Sequence, residues 1–199
     1  LFHGMKAGAY VNGAIAPFVA GELALGAFET GEEEYGVDIL KRMGRKISRD
    51  GKVAFLYDYS GNDIGGGPRC WCGAELMHAE CAGLAGVVDN GKLFRDVTLS
   101  PRFVAAGEKK AHVRLEYAAS GAAVEYHYTW DAAKGEITFS LLSEHERCRL
   151  RMLLPNNAGT PSCRIDDVPV PGRLEQVGSS RYLVIDSFPA EKTGIIDFE

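Results

Sequence analysis

The spacing of hydrophobic residues along this chain changes near residue 90. Before that point, apolar residues recur every three or four positions, as they do on the buried face of a helix. After it, apolar and polar residues alternate, as they do in a β-strand with one buried face. The pattern therefore predicts a helical segment over residues 1–90 and an all-β segment over residues 91–199.

Three helices are predicted in the first segment. The first covers GAIAPFVAGELALGAFETG, with Pro17 in its first turn, where a missing N–H group costs nothing. The second covers EEEYGVDILKRMGRKI, with acidic residues first and basic residues last, as the helix dipole favours. A long loop over residues 48–68 leads to the third, over residues 71–87. Long loops in compact domains are often functional, so this loop is a place to look for a site.

The composition of the helices suggests how they are arranged. The first and third are rich in glycine and alanine, which lets neighbouring helices approach closely, whereas the second is highly charged. We therefore expect an inner, an outer and another inner helix in chain order, as in a ring of helical hairpins.

The second segment reads as a series of short strands. HVRLEYAAS and ERCRLRMLLP alternate, AVEYHYTWDAAKGEITFSLLS reads as a strand, a turn and a strand, and RYLVIDSF supplies a further short strand. Such strands, broken by turn residues, predict an antiparallel β-sandwich. The expected fold is thus α+β, with helical hairpins followed by a sandwich. In EYHYTW, the aromatic residues Tyr126, Tyr128 and Trp130 share one face, which suits either the sandwich core or a carbohydrate surface.

Composition and charge exclude two classes of partner. Apolar residues make up 46% of the 199 residues and charged residues 25%, as in ordinary globular proteins. The net charge is -5 and the basic residues are scattered, so no nucleic-acid surface is expected. The chain lacks the ~18 consecutive apolar residues of a membrane span. It begins at Leu1 without a signal-peptide pattern, so we expect it to start inside a longer chain, and its compartment stays undetermined.

The stretch PRCWCGAELMHAECAGLAGV resembles a metal site in composition but not in geometry. Along one helix, Cys70 and Cys81 would lie roughly 16 Å apart, and Cys72 and His78 about 9 Å apart. Zinc ligands lie within about 2.3 Å of the ion, so one helix cannot gather these four side chains. Five cysteines is an odd number, which favours reduced thiols that pack as small apolar groups. A nucleophilic Cys70 or Cys72 at the helix N-terminus remains an alternative.

Three passages carry a resemblance to a known family: YVNGAIAPFVAGELALGAF, CWCGAELMHAECAGLAGV and VTLSPRF. Together with the order of helices and strands, they resemble the C-terminal part of the six-hairpin glycosidases, the (α/α)6-toroid glycoside hydrolases that include α-L-rhamnosidases. The resemblance implies hydrolysis of a glycosidic bond by carboxyl groups, without a metal or other cofactor. Six hairpins also need far more helices than three, so the resemblance implies that a missing N-terminal segment, another chain or a homo-oligomer covers these helices.

The resemblance also places a sugar pocket at the ends of the inner helices and in the loops that lead into them. Asp58, between two tyrosines, is the first candidate for a catalytic carboxyl group, and Glu75 in the third helix is the second. We expect the aromatic neighbours of Asp58 to raise its pKa by desolvation. The candidate substrate-binding residues are Asn12, Tyr57, Tyr59, Arg69 and Trp71.

Five of the seven candidate residues also have a purely structural explanation. Asp58 is a common turn residue, and Glu75 suits the positive end of a helix. Asn12 and Arg69 are common at helix entries, and Trp71 serves equally well as a core anchor. The leading hypothesis is therefore a C-terminal segment of a glycoside hydrolase, incomplete alone. The alternatives are a non-catalytic carbohydrate-binding or structural module, and an assembly fragment without a ligand.

Overall fold

A computed structural model describes residues 4, 6–8, 10, 12–65, 67 and 69–198. The helices in this part of the chain are α1 (Pro17–Thr30), α2 (Glu33–Asp50), α3 (Cys70–His78), which continues as a π-helical turn (Ala79–Leu84), and the short α4 (Phe103–Ala106). The strands are β1 (Val87–Asp89), β2 (Asp96–Leu99), β3 (Lys110–Tyr117), β4 (Ala122–Asp131), β5 (Glu136–Leu141), β6 (Arg147–Leu153), β7 (Pro161–Ile165), β8 (Val168–Val170), β9 (Arg173–Val177), β10 (Ser180–Ile185) and β11 (Thr193–Phe198). The predicted α+β class is confirmed. No helix among the described residues is long and apolar enough to cross a membrane.

The strands form two sheets that share one hydrophobic core. Their orders are β1-β2-β6-β10-β9 and β3-β4-β5-β11-β7-β8. Buried side chains from both sheets, among them Leu150 of β6 and Phe139 of β5, belong to the same cluster. The sheets are mainly antiparallel, as expected, but β2 pairs with β6 in parallel. A parallel neighbour is possible here because a long stretch of chain separates these two strands.

Helices α1 and α2 form the predicted hairpin. Gly31 ends α1 with φ of 84° and donates its N–H to the carbonyl oxygen of Ala27. A side chain is excluded there in any case, because a Cβ on Gly31 would lie 2.0 Å from the carbonyl oxygen of Val177. The hairpin turn is therefore also the point where the helices meet β9.

The third helix ends earlier than the sequence predicted. Gly86 adopts φ of 70°, and its carbonyl accepts a 2.7 Å hydrogen bond from the N–H of Ser100. The sequence had predicted that Val87 ends the helix, but Val87 instead begins β1. The cause is the close pairing of the chain with the segment after β2, which only a glycine permits, since a Cβ on Gly86 would overlap Ser100.

Helices α1 and α3 run in the same direction. Phe18 near the start of α1 stacks on Trp71 near the start of α3, Gly21 lies against the backbone of Glu75, and the Phe28 ring lies over Gly83. Later residues of α1 contact later residues of α3, so the two helices are parallel. Helix α2 runs antiparallel to α1.

A buried arginine joins the helices to the sheets. Arg102, 5% exposed, donates from Nε to the hydroxyl of Tyr182 at 3.0 Å and from Nη1 to the carbonyl of Gly83 at the end of the π-helical turn. The Tyr182 hydroxyl in turn donates to the buried carboxylate of Glu33, which also accepts from Ser180. Burial raises the pKa of Tyr182 to about 12, so the phenol stays protonated and can donate. Arg102, Tyr182, Glu33 and Ser180 are called the Arg102 network below.

We predict that replacing Arg102 with alanine lowers the free energy of unfolding by about 2–5 kcal/mol, because it removes the buried donor of the Gly83 carbonyl and of the Tyr182 hydroxyl, and each buried group left unsatisfied costs about 1–3 kcal/mol. Urea unfolding followed by circular dichroism measures this loss. Arg147→Ala is the matched control, since Arg147 pairs with Asp96 at the surface and such pairs are worth at most about 1 kcal/mol. Equal losses in the two variants would contradict a joining role for Arg102.

Candidate functional site

Four aromatic rings meet where α1 and α3 begin. Phe18 and Trp71 stack with ring centroids 4.7 Å apart, and Phe55 from the loop before α3 lies 5.9 Å from Phe18 and 5.4 Å from Trp71. Tyr10 extends the group, 6.4 Å from Phe55. Tyr10 and Trp71 are 50% and 46% exposed, and the other two rings are partly buried. This group, called the aromatic surface below, includes the predicted Trp71.

The loop that carries Phe55 is held against the start of α1. Tyr57 and Ile15 exchange backbone hydrogen bonds of 2.8 and 2.9 Å, which bring the loop alongside the entry to the helix. This pairing directs the Tyr57 side chain inward, where it is 1% exposed and its hydroxyl accepts from the N–H of Ala54. Tyr57 therefore supports the loop from within and offers no surface to a ligand, which corrects the prediction of direct contact.

Asp58 is held by donors of its own loop. Its Oδ1 accepts from the N–H groups of Ser60 and Asn62 at 2.9 and 2.8 Å, and its Oδ2 accepts from the Asn62 side-chain amide at 3.0 Å. Led by the contacts with Asn62, these donors hold the pKa of Asp58 below its usual value. The expected rise was wrong, because Tyr59 is 81% exposed and Tyr57 points away into the interior, so neither desolvates the carboxylate.

Glu75 has a carboxyl partner that sequence reasoning missed. Glu75 follows Trp71 by one turn of α3, and Glu22 follows Phe18 by one turn of α1. The two side chains hydrogen-bond to each other, and this contact is the main cause of a raised pKa for Glu75. A hydrogen bond between two carboxyl groups requires that one of them carries a proton. The equal spacing of an aromatic and a glutamate in both α1 and α3 is the signal that could have revealed Glu22.

The close approach of α1 and α3 depends on Gly21. A Cβ at this position would lie 2.6 Å from both the carbonyl carbon and the carbonyl oxygen of Glu75. The missing side chain thus lets the two backbones touch, which brings both the aromatic pair and the carboxyl pair together.

Asn12 lies shortly before α1, and Arg69 lies directly before α3. Asn12 is buried, and its backbone carbonyl accepts from the N–H of Gly8 at 2.9 Å. Arg69 is the residue before α3, and its N–H donates to the carbonyl of Val53 at 3.2 Å. Their backbones thus hold the helix entries in place, and contact of either side chain with a sugar stays a prediction.

The cysteines of the third helix are all free thiols. Cys72 is fully buried, and burial raises its pKa, so the alternative of an activated Cys72 nucleophile is wrong. Burial also raises the pKa of Cys81. Among the residues that the structure describes, no group of three or more His, Cys, Asp or Glu side chains is placed to hold a metal ion.

Comparison with known proteins gives structural matches only. No family model and no curated protein sequence matches this chain. An α-L-rhamnosidase from Dictyoglumus thermophilum matches 91% of this chain with 21% of its own, at a TM-score of 0.63 and 12% identity. A structure described as a glycoside hydrolase matches 86% of this chain with 29% of its own (TM-score 0.45, 11% identity). A GH127 β-L-arabinofuranosidase from Geobacillus stearothermophilus T6 matches 65% with 19% (TM-score 0.36, 10% identity). The chain thus has the fold of about a fifth of that rhamnosidase.

We predict that Gly21→Ala separates α1 from α3 and destabilises the protein by about 1–3 kcal/mol, as overpacked sites commonly do. Gly26→Ala in the same helix is the matched control, because a Cβ there meets nothing within 4 Å. That change should stabilise the protein by about 0.5–1 kcal/mol, since alanine is the better helix former. Thermal and urea unfolding measure both, and a neutral Gly21→Ala would contradict the close backbone contact.

We predict that Glu22→Gln lowers the pKa of Glu75 toward its ordinary value, measured by NMR titration of the side-chain carboxyl carbon. The folded state binds the shared proton more tightly than the unfolded state does. The associated stability is therefore fully present below the unfolded-state pKa and is lost as the pH rises through the folded-state pKa. Glu29→Gln, an exposed change in the same helix, should leave the titration of Glu75 unaltered. A Glu75 pKa that is the same with and without Glu22 would exclude proton sharing.

Proposed function

We propose that this chain is part of a glycoside hydrolase in which α1 and α3 are inner helices of a hairpin ring and the two sheets form the sandwich that follows it. The fold shared with the rhamnosidase over 91% of the chain is the observation that carries this proposal. The parallel direction of α1 and α3, with α2 returning between them in the sequence, supports it, because successive inner helices of such a ring point the same way.

The aromatic surface is the sugar-binding side in this proposal. An exposed indole such as Trp71 can stack on the apolar face of a sugar ring, and Tyr10 widens the platform beside it. Tyr59, Asn12 and Arg69 border the same helix entries and supply hydrogen-bonding groups for sugar hydroxyls.

The carboxyl groups of Glu75 and Asp58 suit different catalytic roles in this proposal. Glu75 keeps its proton to a higher pH through Glu22, which suits a general acid that protonates the leaving oxygen of a glycosidic bond. Asp58 is held ionised by its loop, which suits a base or nucleophile. The structure of the site thus favours Glu75 over Asp58 as the acid.

Further helices complete the ring in this proposal. Val19 and Leu23 on α1, Ile15 just before it, and Met77 on α3 are all exposed. Exposed apolar surface of this kind favours burial against another part of the protein. We propose that the remaining hairpins, from a longer chain or from a second copy, cover it, and that hydrolysis requires them.

A non-catalytic sugar-binding module is the second candidate. It is favoured by the engagement of Asp58 within its own loop, which leaves the aromatic rings as the main groups offered to a ligand.

In full-length protein carrying Trp130→Phe, Trp71 is the one tryptophan left in this segment. We predict that its fluorescence changes saturably with L-rhamnose or its aryl glycoside. In this Trp130→Phe protein, adding Trp71→Ala should abolish binding measured by calorimetry, whereas adding Tyr35→Ala, an equally exposed aromatic change on α2, should not affect it.

Hydrolysis of an aryl glycoside, measured as release of its aryl group, distinguishes a glycoside hydrolase from a sugar-binding module. Glu75→Gln should lower its rate by about 10²–10⁴-fold, the usual contribution of a general acid. Binding without release, tested over a panel of aryl glycosides, would favour the binding module. A rate unaffected by Glu75→Gln would remove Glu75 from the chemistry, and the absence of any binding at Trp71 would overturn both candidates.

A further inference from the structure

The aromatic face of β4 continues from the core to the surface. Tyr126 and Tyr128 are fully buried between the sheets, but Trp130, two residues further along the same face, is only partly buried at the end of the strand. The aromatic face that the sequence predicts for this strand therefore lies in the sandwich core at Tyr126 and Tyr128 and reaches the surface at Trp130.

Two cavities meet at Trp130. The first, of about 350 Å³, lies between the start of α2 and the sheets, and the second, of about 310 Å³, lies beside the turn that joins β4 to β5. Trp130, Pro155 and Asn157 line both. Together they form one groove, called the Trp130 cleft below, and each half is within the size range of about 300–1,000 Å³ in which small ligands bind.

The polar groups of the cleft select a class of ligand. Glu32 and Glu34 at the start of α2 offer carboxylates, and Asn156 and Asn157 offer amides that both donate and accept hydrogen bonds. Lys134 is the one basic residue among the described residues that line the cleft. An anion is therefore disfavoured, since two exposed carboxylates face it.

A cation is disfavoured as well. The carboxylates lie at the N-terminus of α2, where the helix dipole already offsets part of their negative charge. In addition, the side-chain amides of Asn156 and Asn157 offer N–H donors, which need an acceptor on the ligand. A cationic amine brings only donors, whereas a hydroxyl group both donates to a carboxylate and accepts from an amide N–H.

We propose that the Trp130 cleft binds a neutral sugar residue, stacked on the indole and held through its hydroxyl groups by Glu34 and Asn157. The cleft shares no residue with the aromatic surface of α1 and α3, so it is a second sugar site, carried by the sheets and the start of α2. Such a site holds a carbohydrate chain close to the protein and does not require that the first site be catalytic.

Fluorescence of the Trp71→Phe variant tests the proposal, because Trp130 is then the one tryptophan left in the 199 residues. The probes are L-rhamnose, D-glucose, D-galactose and D-xylose, together with a short oligosaccharide of each of the last three. We expect a saturable shift in Trp130 emission with at least one of them. Glu34→Gln and Asn157→Ala should each weaken the binding about tenfold or more, as loss of one hydrogen bond of about 1.4 kcal/mol does.

Matched controls keep the test independent of folding. Both Glu34 and Asn157 are exposed, so their replacement does not disturb the core, and Trp130 itself stays in place. Glu144→Gln and Asn90→Ala, exposed changes of the same types that line neither cavity, should leave the binding unaltered.

The proposal is overturned by the absence of a saturable shift with any of the sugars, or by a shift that Glu34→Gln and Asn157→Ala leave unchanged. A response to methylammonium but to none of the sugars also overturns it and indicates a cation site. Because Trp71 reports the aromatic surface in the Trp130→Phe protein and Trp130 reports the cleft in the Trp71→Phe protein, failure of one site is distinguishable from failure of the other.

Discussion

The buried guanidinium of Arg102 reaches the end of the π-helical turn, strand β10 and, through Tyr182, the first residue of α2. Burying a positive and a negative charge is costly unless every polar atom finds a partner, and the Arg102 network provides those partners. Because it draws on both halves of the chain, the packing of α1 and α3 and the position of α2 over the sheets depend on it. The VTLSPRF passage, one of three that carry the family resemblance, contains this arginine.

Two close contacts of small residues then shape the candidate site. Gly21 lets α1 touch α3, and Gly31 lets the hairpin turn touch β9. The first contact creates the aromatic and carboxyl pairs on the helices, and the second positions the start of α2 beside Trp130. Both proposed sugar sites therefore lie where helix ends and glycine contacts leave aromatic rings partly exposed.

The two carboxylates nominated from sequence illustrate how environment sets a role. Asp58 and Glu75 have the same functional group, yet loop donors lower the pKa of one and a second carboxyl group raises the pKa of the other. Glycosidic chemistry needs such a difference between an acid and its partner. The separation of the two pKa values, more than the presence of two carboxyl groups, is what the proposed acid and base roles require.

Local pattern was enough to predict α1, α2 and most of the strands, because helix and strand periodicities are properties of short segments. It also excluded a zinc site within one helix, since helix rise is known in advance. Local pattern could not predict that Tyr57 points inward, that loop groups donate to Asp58, or that Glu22 pairs with Glu75. These features depend on contacts between segments far apart in sequence, and only the tertiary structure brings those segments together.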